Sequence, residues 1–123
     1  MHLIEDFVAK NWWHHGAALA LGRLYAQKGD VDAAVGQLRR ASWLDVHDAE
    51  ALRLIAQMRL RQNRLDEAFR AQRRAVARQP DEPRQYLLLS TILERLGRDD
   101  EARAALSQVN RLQALAKPQV AAN

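Results

Sequence analysis

LGRLYAQKGDVDAAVGQLRRA (residues 21–41) is followed at a constant interval by IAQMRLRQNRLDEAFRAQRRA (55–75) and LSTILERLGRDDEARAALSQV (89–109). Stacked in this register, Ala34, Ala68 and Ala102 form one column. Leu21, Ile55 and Leu89 form a second, and Gly22, Ala56 and Ser90 a third. Gly29, Asn63 and Gly97 form a fourth, and Ala41, Ala75 and Val109 a fifth. The period is 34 residues throughout. A constant period in the range of about 20–50 residues is the mark of a solenoid, in which each unit buries its apolar face only against its neighbours. Such an architecture offers an open surface for binding in place of an enclosed pocket.

The columns divide the chain into repeats 15–48, 49–82 and 83–116. Each reads as two antiparallel helices, the first at about 15–28, 49–62 and 83–96, the second at about 31–44, 65–78 and 99–112. Asp30, Asp48, Asp81 and Asp99 each precede an apolar-periodic run, where a short acceptor caps free N–H groups. Pro83 falls in a first helical turn, where a missing N–H costs little. Gly29, Asn63 and Gly97 mark the reversals and tolerate a left-handed backbone. In residues 1–14, Ile4, Val8 and Trp12 recur at i, i+4 and i+8 beside Leu3 and Phe7, which predicts an amphipathic helix capping the first repeat. Residues 117–123 read as a flexible tail.

These residues resemble the tetratricopeptide repeat family. Its pattern is met by Leu21-Gly22, Tyr25, Gly29, Ala34, Leu38 and Ala41 in repeat 1. Repeat 2 supplies Ile55-Ala56, Asn63, Ala68, Ala75 and Pro80, and repeat 3 supplies Leu89-Ser90, Leu93, Gly97, Ala102, Leu106 and Val109. The early Trp of the family pattern is replaced by Ala18, Leu52 and Tyr86. Arg59 and Gln72 stand where repeat 2 would carry Tyr and a large apolar residue. Either they weaken the core there, or, more commonly, such side chains lay their stems on the core and hold polar heads in water. Gly22, Ala56 and Ser90 are expected to meet the first alanines of the second helices, where backbones pass closely. A period of 34 argues against the related pentatricopeptide repeats, whose period is 35.

The resemblance implies an all-α, right-handed superhelical solenoid whose concave surface is lined by the first helix of each pair. It places Leu19, Arg23 and Gln27 of repeat 1 on that surface, with Glu50, Arg53, Gln57 and Arg61 of repeat 2 and Arg84, Leu87, Thr91 and Arg95 of repeat 3. Five arginines on one face predict a groove for a protein or peptide partner of acidic character. The competing reading pairs these arginines with Glu50, Glu94 and their neighbours. A chaperone-tail carboxylate clamp, known in part of the family, would need polar residues at Leu19, Arg23, Leu54, Arg84 and Leu88, and three of these are apolar. The alternative function is assembly through the solenoid ends, with Phe7, Trp12 and Leu112 as the contact residues of a homo-oligomer or of a larger protein.

Composition narrows the remaining classes. The 123 residues carry no cysteine, which removes disulfides and thiolate metal sites. No run approaches the ~20 apolar residues that span a bilayer, and Glu5-Asp6 sits where a secretory leader would be basic. A complete chain of this kind is expected in the cytoplasm, and its Ala, Leu and Arg bias points to a bacterial source. Net charge is +4, but residues 51–78 hold eight arginines against Asp66 and Glu67. The bland account is solvation of helix surfaces. Nucleic acid is not expected as a partner, because that span holds a single aromatic side chain, Phe69, where a series of them is needed for bases to stack on. His14 and His15 are adjacent and point apart on a helix, so no metal site and no cofactor are expected. Ser42, Ser90 and Ser107 lack a recognisable His–acid relay, and no glycine-rich phosphate loop is present, so the chain does not read as an enzyme. Trp12, Trp13 and Trp43 are expected in the core.

Overall fold

The structure is a computed structural model describing residues 13–116, which form six α-helices. These are α1 (His15–Gln27), α2 (Val31–Leu44), α3 (Glu50–Arg61), α4 (Leu65–Arg78), α5 (Pro83–Arg95) and α6 (Asp99–Ala116). They pair as the hairpins α1–α2, α3–α4 and α5–α6, and each helix packs on the next in chain order. α3 also touches α5, so first helices adjoin across the stack. α6 runs four residues past the expected end at 112. The expected capping helix at residues 1–14 and the tail at 117–123 lie outside the described residues, apart from Trp13 and His14.

The three reversals are chemically one motif. Gly29, Asn63 and Gly97 have φ of 82°, 60° and 78°. Gly29 N donates to Ala26 O at 3.1 Å, and Asp30 N donates to Tyr25 O at 3.0 Å. The same two bonds recur as Asn63 N to Leu60 O and Arg64 N to Arg59 O, and as Gly97 N to Glu94 O and Arg98 N to Leu93 O. This is the Schellman termination, which satisfies the last free carbonyls and needs a left-handed residue at its pivot.

The N-termini are less uniform than expected. Asp30 does cap α2, its carboxylate accepting from Ala33 N at 3.3 Å. Asp48 accepts from Glu50 N at 2.9 Å, one position outside the cap. Asp81 plays no such part: Glu82 is the cap residue of α5 and accepts from Arg84 N at 3.3 Å. Asp99 is already inside α6, where its carboxylate faces the positive end of the helix dipole. α1 is capped by His14, whose Nδ1 accepts from Ala17 N.

The core follows the columns. Ala34 and Ala68 are 0% exposed and Ala102 is 2% exposed. Ala41, Ala75 and Val109 are buried as well. Small side chains let the helices approach closely, but the contact at Gly22 differs from expectation. A Cβ there would lie 2.6 Å from Leu38 Cδ2, so Gly22 accommodates Leu38, one turn beyond Ala34. Leu38 is itself fully buried.

The two polar substitutions in repeat 2 are both buried and both find polar partners, although Gln72 Oε1 is left without one among the described residues. Gln72 is fully buried, and its Nε2 donates to Gln85 O at 2.8 Å and to Gln85 Oε1 at 3.0 Å. Gln85 Nε2 in turn donates to Gln79 Oε1 at 3.0 Å, so a chain of amides joins α4 to α5. Arg59 is buried, with its Nε 3.1 Å from Glu67 Oε2 and its Nη1 donating to Gln62 Oε1. Two further arginines bind one hairpin to the next. Arg78 Nη1 donates to the carbonyls of Ser42, Asp45 and Asp48, closing the end of α2 and the loop after it. The Arg98 guanidinium lies 4.7 Å over the Phe69 ring. Two tryptophans correct the expected core: Trp13 and Trp43 are 69% and 74% exposed. Trp43 falls on the solvent side of α2, between the buried Ser42 and the C-terminus of the helix.

Candidate interaction face

The first helices α1, α3 and α5 present their polar residues at i, i+4 spacing because the intervening positions are committed to the core. On α3, Arg53, Gln57 and Arg61 share one side, while Leu52, Ile55 and Arg59 share the other. This places two adjoining hollows on the first-helix face. One, of about 240 Å³, is lined by Arg23 and Gln27 of α1 and by Gln57 and Arg61 of α3. Its apolar wall is Ala26, Leu38, Leu54 and Met58. The other, of about 270 Å³, is lined by Arg53 and Gln57 of α3 and by Arg84, Leu87, Leu88 and Thr91 of α5. Gln57 lies on the ridge between them.

Of the eleven residues assigned to this surface, eight line one hollow or the other, and Leu19, Glu50 and Arg95 do not. Arg95 lines neither, and its Nη2 donates to Asn63 Oδ1 at 2.8 Å. Leu19 lines neither and packs on the core. Leu38 and Met58 join this face beyond the residues the repeat register assigns to it, and Leu54 and Leu88 do so at two of the clamp positions.

The arginines are partly neutralised. Glu50 Oε1 contacts the Arg23 guanidinium and lies 3.5 Å from Arg53 Nη2. Arg84 Nε lies 3.6 Å from Glu82 Oε1. Arg61 has no ion pair among the described residues, and neither does Glu94, which was expected to take one of these arginines. The face therefore keeps a positive excess around apolar floors. It can hold a carboxylate-bearing segment by charge while burying an apolar side chain beneath it.

At the far end of the stack, Leu112 is half-buried, while Leu106 and Leu115 are 37% and 73% exposed. Phe7 and Trp12 lie outside the described residues. No group of three or more His, Asp or Glu side chains able to hold a metal ion occurs among the described residues.

A model of the tetratricopeptide repeat matches residues 19–83 and 70–116. The chain belongs to the tetratricopeptide repeat family. The family match indicates a scaffold for protein contacts and no catalytic family. A solved structure of MamA superposes with a TM-score of 0.83 at 22% identity, covering 90% of this chain and 61% of that one. A second MamA structure gives 0.80 at 21% identity, covering 90% and 65%. A third, MamA AMB-1, gives 0.79 at 23% identity, covering 98% and 66%. At these identities the likeness establishes a shared fold, the helical solenoid. The chain spans 61–66% of the length of these three MamA chains. No curated protein matches the sequence.

Proposed function

We propose that this tetratricopeptide module binds a protein or peptide partner of acidic character on its first-helix face. The supporting observation is the pair of adjoining hollows meeting at Gln57, with apolar floors and with Arg23, Arg61, Arg53 and Arg84 at their rims. Guanidinium groups suit carboxylates because their planar fork matches two oxygens at once. Charge complementarity of this kind sets association rate and specificity more than raw affinity. The test is capture of the partner from native lysate, followed by titration against Arg53→Glu combined with Arg84→Glu. The expected result is a loss of about tenfold or more in affinity, together with marked weakening by salt in the unaltered protein. Unchanged binding by the double variant would remove the reading.

A second reading is assembly through the end of the stack, and the exposed Leu106 and Leu115 on α6 favour it. It predicts a mass by light scattering that rises with protein concentration and falls back on Leu115→Glu. A monomer at every concentration would exclude it.

A further inference from the structure

A third hollow, of about 450 Å³, opens on the other side of α3 from the first-helix face. Its floor is Leu52, Ile55 and Ala71, all buried. Around that floor stand Arg39 of α2, Arg59 of α3, Arg64 of the reversal, and Arg70 and Arg74 of α4, against Glu67 alone. Glu67 is already occupied: its Oε2 lies 3.1 Å from Arg59 Nε and 3.6 Å from Arg64 Nη1. Arg39, Arg70 and Arg74 have no ion pair among the described residues.

Three uncompensated guanidinium groups around one hydrophobic floor are not explained by surface solvation. Arg70 and Arg74 are one turn apart on the same helix, where like charges repel and destabilise the helix. Arg39 comes to the same cleft from another hairpin, so the convergence depends on the fold and is not a run in the sequence. The cleft is separate from the two hollows described above. Along α3, Leu52, Ile55 and Arg59 lie roughly half a turn around the helix from Arg53, Gln57 and Arg61.

We propose that this cleft is a second docking site, which takes a short acidic segment of a partner protein by seating an apolar side chain between flanking carboxylates. The apolar floor favours a peptide over a bare oxyanion, which would leave Leu52, Ile55 and Ala71 uncovered. All five basic lining residues are Arg, whose planar fork pairs with carboxylates in bidentate fashion. No aromatic residue lines the cleft, so it has no platform for the bases of a nucleic-acid strand. The volume falls within the range of about 300–1,000 Å³ typical of clefts that bury a small ligand. Together with the first-helix face, such a site would let one module hold two acidic segments on opposite sides.

The test is an amide chemical-shift titration of the full chain with the peptide acetyl-Asp-Glu-Leu-Asp-Glu-amide. A version with Ser for the Leu, pyrophosphate and an oligothymidylate serve as parallel probes. The proposal expects saturable shifts at Ser42, Ala71 and Arg74. These should weaken about tenfold in Arg70→Glu with Arg74→Glu and persist in Arg53→Glu with Arg84→Glu. It also expects weaker binding of the Ser peptide. Both arginines of the cleft variant are exposed, and an unchanged helical circular-dichroism spectrum verifies its fold; Arg39→Gln supplies an independent second variant with the same expected loss. Shifts confined to Gln57 and Thr91 would overturn the cleft proposal and leave the first-helix reading intact. Absence of saturation, or tighter binding of pyrophosphate or oligothymidylate than of the Leu peptide, would overturn it as well.

Discussion

Two glycines in adjacent helices show how strongly position governs the role of one residue type. Gly22 of α1 faces Leu38, and a Cβ there would sit 2.6–2.7 Å from its side chain. Leu38 is fully buried and its Cγ and Cδ2 would both be pressed by the added methyl, so Gly22→Ala should destabilise the fold by about 1–3 kcal/mol through overpacking. Gly36 lies inside α2 on an exposed side, and a Cβ there would meet nothing within 4 Å. Gly36→Ala should therefore stabilise by about 0.5–1 kcal/mol, since alanine loses less entropy in a helix. Urea unfolding of both variants measures the two signs. The buried position of Gly22 was legible from its column, but its partner was not. Periodicity assigns a residue to a face and leaves the crossing of two helices to be fixed by side-chain packing. The same limit applies to Gln72, whose polarity suggested a wet position. A fully buried amide is tolerated there only because Gln85 lies opposite to receive it, and nothing within repeat 2 announces that pairing.

Helix existence and the reversals between helices were the most legible elements. The columns at Gly29, Asn63 and Gly97 correspond to three copies of one hydrogen-bonded termination, because a left-handed pivot admits few residue types. Helix starts were less legible. Many side chains can accept from the first free N–H groups, so His14 and Glu82 serve where an aspartate was expected. Connections between hairpins were not legible at all. Arg78 lies 30–36 positions from the three carbonyls it binds, and in the sequence it is one arginine among eight. Its guanidinium satisfies the C-terminal carbonyls of α2 and the following loop while tying hairpin α3–α4 to hairpin α1–α2. Arg78→Ala should cost about 1.5–3 kcal/mol, the usual loss for charged hydrogen bonds to groups that stay partly buried. Increased hydrogen exchange at Asp45 and Asp48 is the local signature, and unaltered exchange there would show that the contact carries little.

At the scale of the whole molecule, stacking divides the surface into two sides of different composition. The first helices give hollows whose positive charge is partly met by Glu50 and Glu82. Across α3, the second helices give a cleft where Glu67 is the sole acid among five arginines. The sequence showed the arginine excess in 51–78, but not the contribution of Arg39, which joins only when α2 packs beside α3 and α4. Both surfaces exist because each hairpin repeats the geometry of the last, and that repetition rests on the column of alanines at 34, 68 and 102. The most direct measurement is equilibrium unfolding of Ala68→Leu, at the fully buried centre of the stack. The solenoid account predicts a loss of about 1–3 kcal/mol from overpacking, with the helical content of the native state retained. Unfolding unchanged from that of the unaltered protein would contradict it.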